Sequence, residues 1–168
     1  MKCLSIWQPW ASLIGCGVKT VETRSWAPPV SVIGTRIGIH ASLRKPSSMG
    51  LTPYLIGAIE RVCRKQEHGF GRLGVDTLDE LPRGCVIATA VIDQVWQVQR
   101  IRGPIGGAIA RGNCDQRIVE QRVDRLGDFS VGKWLWFLRD VQLLDEPVMV
   151  RGQQRLFEVE MPAMAEVV

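Results

Sequence analysis

Apolar and polar positions recur with period two along several stretches of this chain and with helical period along one. That contrast sets the predicted elements. Over residues 35–41, Ile37 and Ile39 share one face while Gly38 and His40 share the other, the alternation of a strand. Residues 85–96 and 131–141 are apolar on both faces, as central strands are. In the second of these, Trp134, Trp136 and Leu138 oppose Leu135, Phe137 and Arg139. From 52 to 67 the positions Leu55, Ile56, Ile59, Val62 and Cys63 fall at helical spacing, with Thr52 as N-cap, Pro53 in the first turn and Glu60 four residues before Arg64. This predicts a helix that ends at His68-Gly69-Phe70-Gly71.

Shorter elements fill the rest. A strand over 2–6 leads into Gln8-Pro9-Trp10-Ala11-Ser12-Leu13-Ile14-Gly15-Cys16-Gly17, where proline suits a first helical turn and Gly17 suits the left-handed residue that closes a helix. Residues 18–26 have strand composition, and Ala27-Pro28-Pro29 ends them because proline cannot donate to a ladder. Glycine and proline crowd 97–113, which reads as a long loop, and 116–126 reads as a polar helix. Two short strands are expected over 148–159, around Arg151-Gly152-Gln153, and 161–168 as a frayed tail. Strands outnumber helices and the helices lie between them, so the expected class is α+β, a small mixed β-barrel flanked by helices, in one domain over 1–160.

Composition narrows the classes further. With 168 residues, 46% of them hydrophobic and 23% charged, the chain suits an independent core and neither a disordered nor a membrane protein. No apolar run reaches the roughly 18 residues a membrane span needs, and Ser5 and Gln8 interrupt the start where a signal-peptide core would lie. The expected location is cytoplasmic, with no membrane partner. The five cysteines, Cys3, Cys16, Cys63, Cys85 and Cys114, form no CxxC pair, so neither a zinc site nor a disulfide framework is expected. No metal or other cofactor is implied. The net charge of +4 favours a polyanionic partner, and 95–113 carries Arg100, Arg102 and Arg111 with no acid.

The candidate chemistry sits in Gly17-Val18-Lys19-Thr20-Val21-Glu22-Thr23-Arg24, where a glycine and three charges meet at a helix-to-strand junction. Glu22 and Arg24 lie two apart, so on a strand they share a face at roughly 6.5–7 Å, within reach of an ion pair or a common ligand. Lys19 has the other parity and joins them only from the loop. Charged strand edges also serve simply against aggregation, so spacing by itself leaves both uses open. Trp7, Trp10 and Trp26 stand near this segment and could stack a base, or pack in a core. His40 closes an apolar strand, where a histidine is either satisfied by neighbours or used on a ligand, and Ser5 and Ser42 have no evident His–acid arrangement.

The segment from Gly17 to Arg24 resembles the GxKxxExR motif of ASCH (activating signal cointegrator homology) domains. Leu4-Ser5-Ile6-Trp7-Gln8-Pro9-Trp10-Ala11 is similar to the opening of bacterial members, Ile39-His40-Ala41-Ser42 to their next strand end, and 132–141 and 147–157 to their closing strands. The regions 49–81 and 97–128 look like enlarged connections. The resemblance implies a PUA-like barrel whose motif lines a cleft beside the helices and binds RNA, a nucleotide or a modified nucleoside. It implies ligand-binding roles for Gly17, Lys19, Glu22, Arg24, Trp10, Trp26, His40 and Ser42. Arg24 suits a phosphate or a base edge, Glu22 an exocyclic amine, and Lys19 supplies a mobile charge. An alternative is hydrolysis, of acetylated cytidine or of RNA, with Lys19 and Glu22 as nucleophile or base. Coactivator relatives suggest a protein adaptor, for which the sequence carries no signature.

Overall fold

The strands are β1 (Lys2–Ile6), β2 (Val21–Arg24), β3 (Arg36–Ala41), β4 (Cys85–Ile101), β5 (Ala108–Arg111), β6 (Gln116–Val119), β7 (Trp134–Met149) and β8 (Leu156–Glu158), and α1 covers Trp10–Gly15. The structure, a computed structural model, describes residues 1–54, 56–57, 59–60, 75, 77–101, 108–111, 116–119 and 126–161. The hydrogen-bonded order is β2-β7-β4-β3-β1-β8, with β5 beside β4 and β6 beside β5. β1 and β3 are parallel, whereas β1–β8, β2–β7, β4–β5 and β5–β6 are antiparallel. The sheet is mixed, as expected. Among the described residues its order is an open path from β2 to β8, so closure into a barrel is not found, and few residues are helical.

Two expectations are corrected by strand pairing. The stretch read as a loop from 97 to 113 contains the end of β4 and all of β5, with a register shift between Val98 and Arg100. The glycines and prolines of this stretch lie at 103–107 and 112, outside the ranges of β4, β5 and β6, so its overall composition hid short ladders. The polar helix expected over 116–126 begins instead as β6, whose residues pair with β5 from Ala108↔Val119 to Arg111↔Gln116. Its neighbour supplies the backbone hydrogen bonds that a helix would have supplied internally. Residues 120–125 of that expectation lie outside the described residues. So does most of the later part of the helix expected over 52–67; Pro53, Tyr54, Ile56, Gly57, Ile59 and Glu60 are helical, Ile56 N–H donates to Thr52 at 3.0 Å, and Ile59 is buried. The tail expected to fray lies outside them from residue 162.

The chain divides into two compact units, the first comprising Met1–Val18, Arg36–Thr89 and Val141–Val168, the second Lys19–Thr35 and Ala90–Asp140. In the first, β1 and β3 pair from Cys3↔Gly38 to Ile6↔Ala41, and Leu4, Leu13, Ile14, Ile37 and Ile39 are fully buried. A Cβ on Gly38 would stand 2.3 Å from Cys3 Sγ, so this register requires glycine there. Burial pushes the Cys3 thiol up to about 11. The second unit closes around Val21, Trp96, Val98, Ala110, Phe129 and Leu135, with Phe137 packed against them.

Candidate functional site

The charged segment follows in the chain directly after the end of α1. Gly17 has φ +74°, Gly17 N–H donates to Ile14 at 2.8 Å and Val18 N–H to Leu13 at 2.9 Å, the paired bonds of a left-handed glycine stop. A Cβ on Gly17 would meet nothing within 4 Å, so glycine is required there by backbone conformation and not by crowding. The chain then enters β2, which β7 pairs through Glu22↔Trp136 and Arg24↔Trp134, and Leu138 N–H reaches back to Thr20 at 2.8 Å. Opposed residues of an antiparallel pair share a face. Glu22, Arg24, Trp134 and Trp136 therefore lie on one side of this ribbon.

On that side the three charges meet. Glu22 Oε1 is 2.9 Å from Arg24 Nε, and Glu22 Oε2 is 3.8 Å from Lys19 Nζ. Lys19 is only 1% exposed, and its ammonium also donates to the Val21 carbonyl. A lysine so buried persists only with partners for its charge, and this one has a carboxylate and a carbonyl. Glu22 is itself buried, whereas the Arg24 side chain keeps 24% of its surface. Beside them Trp26, half-buried, meets fully buried Trp136 edge-to-face at 4.9 Å, and the Trp136 indole N–H has no acceptor among the described residues.

The other candidate residues lie in the first unit. Trp10 is half-buried in α1. The start of that helix is fastened by buried Gln8, whose side chain accepts Ser12 N–H at 3.1 Å and donates to Ser12 Oγ at 2.8 Å and to the Pro82 carbonyl at 2.7 Å. His40 is buried, with Nδ1 3.0 Å from Ser5 Oγ and Nε2 3.1 Å from the Val150 carbonyl. Because a carbonyl only accepts, Nε2 carries the proton and Ser5 donates to Nδ1. Burial holds His40 below the usual histidine range and so favours the neutral ring, while the Val150 bond partly opposes that shift. Gly152 covers this pair so closely that a Cβ would lie 2.3 Å from His40 Cε1 and 2.9 Å from Ser5 Oγ. Sequence reasoning missed the Ser5–His40 partnership because it depends on the parallel register Ser5↔His40, which no local spacing encodes. The Ser42 backbone N–H donates to Ile6 at 2.9 Å, while its hydroxyl has no partner among the described residues.

The ASCH domain family model matches residues 4–106, and the chain belongs to that family. It is 35% identical over 98 residues to activating signal cointegrator 1 of Homo sapiens and 34% identical over 98 residues to that of Mus musculus. In both cases the match covers 58% of this chain and 15% of the relative, so it spans a small part of those longer proteins. Among solved structures, the chain is similar to ASCH from Zymomonas mobilis at 16% identity and a TM-score of 0.48, over 95% of this chain and 87% of that one. No helix among the described residues is long and apolar enough to cross a membrane.

Proposed function

We propose that this protein binds RNA by holding a nucleotide or modified base at Lys19, Glu22 and Arg24. The observation that carries this reading is the shared carboxylate: Glu22, buried, sits between Lys19 at 3.8 Å and Arg24 at 2.9 Å. A carboxylate shared by a lysine and an arginine gathers both cations on one side of the ribbon, where they suit a phosphate or an electron-rich base edge. Trp26 supplies a half-buried aromatic surface beside it.

Hydrolysis with Lys19 as nucleophile has less support. A nucleophilic lysine needs its lone pair, and this ammonium donates to a carbonyl while facing a carboxylate. Incubation with acetylated cytidine tests that alternative directly, since turnover would restore it. For binding, the test is Arg24→Lys, with uridine 5′-monophosphate as probe. Lysine keeps the charge but not the fork, so affinity is expected to drop by about 1–3 kcal/mol while folding stability changes by less than about 1 kcal/mol. A lowered melting temperature with unaltered nucleotide binding would assign Arg24 to structure alone.

A further inference from the structure

In the first unit, the ends of three strands converge on an exposed surface that the Lys19–Glu22–Arg24 cluster does not use. Ser42 N–H donates to the Ile6 carbonyl at 2.9 Å and Gly84 N–H to the Ala41 carbonyl at 2.7 Å, which sets the residues after β1 and β3 beside the one before β4. Trp7 emerges there with 51% of its surface exposed, and the Arg44 guanidinium lies over its ring at 4.6 Å from the centroid. Lys45 follows Arg44, and Arg83, beside Gly84, donates to the Asp79 carbonyl. The Asp79 carboxylate accepts Ser47 N–H at 3.1 Å, and Glu80 takes Thr77 N–H at 3.4 Å. Among these described residues the three cations, Arg44, Lys45 and Arg83, outnumber the two acids, Asp79 and Glu80.

A tryptophan carrying a stacked guanidinium is already layered as an unpaired base would extend it. We propose that the Trp7–Arg44 stack is a second contact for single-stranded RNA, where a base adds to the aromatic–cation stack and Lys45 and Arg83 meet neighbouring phosphates. A protein partner would have to desolvate these cations and match them with acids, whereas a nucleic-acid strand brings a phosphate with every nucleotide. The contact uses residues other than those of the Lys19 cluster, and the experiment distinguishes the two.

The test compares the full chain with Trp7→Ala, Trp7→Phe and Arg44→Glu, using fluorescein-labelled oligo(U) of twelve nucleotides, the same length of duplex RNA, and uridine 5′-monophosphate. Trp7→Ala is expected to weaken oligo(U) binding about tenfold, in line with the loss of one base–aromatic stack, and to leave monophosphate binding unchanged. Trp7→Phe should recover most of the affinity, and Arg44→Glu should weaken oligo(U) at least as much as Trp7→Ala. Duplex RNA should be insensitive to Trp7→Ala. The proposal is overturned if oligo(U) binds native and Trp7→Ala protein equally, which would leave the surface to a protein partner. It is overturned equally if native protein binds no oligo(U), or if monophosphate binding falls in step. Loss of oligo(U) affinity in Trp7→Ala beside normal monophosphate binding in Arg24→Lys would sink the reading of the Lys19 cluster and leave this one standing.

Discussion

At His40 the packing decides a protonation state. Its two ring nitrogens are engaged by Ser5 and the Val150 carbonyl, and burial lowers its pKa below 6.5. The unfolded chain therefore binds a proton more readily than the folded one as pH falls through about 6.5, and stability must decrease there. The contribution is complete above the unfolded value and is lost progressively below it, down to the folded value. Melting temperature is accordingly expected to fall between about pH 7.5 and pH 5, and His40→Gln to flatten that slope; a slope identical in the variant would show that other groups cause it. Gly152 belongs to the same argument, because its missing Cβ is what allows the backbone to lie against the imidazole. None of this was legible locally: the sequence marks His40 as the end of an apolar strand, and the partners come from residues 35 and 110 positions away.

Among the elements, the end of α1 carries the clearest local signal. Gly17 ends the helix in a left-handed conformation with open space around its Cα, so the cost of a side chain there is conformational strain without steric overlap. Gly17→Ala is expected to cost about 1–2 kcal/mol of stability and Gly17→Asn less, with nucleotide binding by the folded fraction unchanged in both. Thermal melts paired with binding titrations check this, and a binding defect in Gly17→Asn at normal stability would mean that the glycine touches ligand. The glycine stop, the strand over 21–24 and the shared face of Glu22 and Arg24 were readable from sequence, because each depends on neighbours within about one turn or one pleat. The β5–β6 hairpin was not. Its residues carry weak and partly polar patterns, and they become strands because an adjacent strand offers a ladder.

For the whole molecule, the net charge of +4 means that RNA binding as proposed would depend on released counterions. If about three phosphates are contacted, raising salt from 50 to 200 mM is expected to weaken oligo(U) binding about 20-fold, and an affinity independent of salt would remove the electrostatic part of the proposed function. The sequence by itself determined which segments alternate, where glycine and proline interrupt them, and that Lys19, Glu22 and Arg24 arrive together at a helix-to-strand junction. Only the tertiary structure decided that Glu22 faces Trp136, that Ser5 faces His40, and that Trp7 stays at the surface under Arg44. The reason is physical: periodicity specifies which side of an element is apolar, whereas pairing register and the neighbours across it are fixed by contacts between residues far apart in the chain.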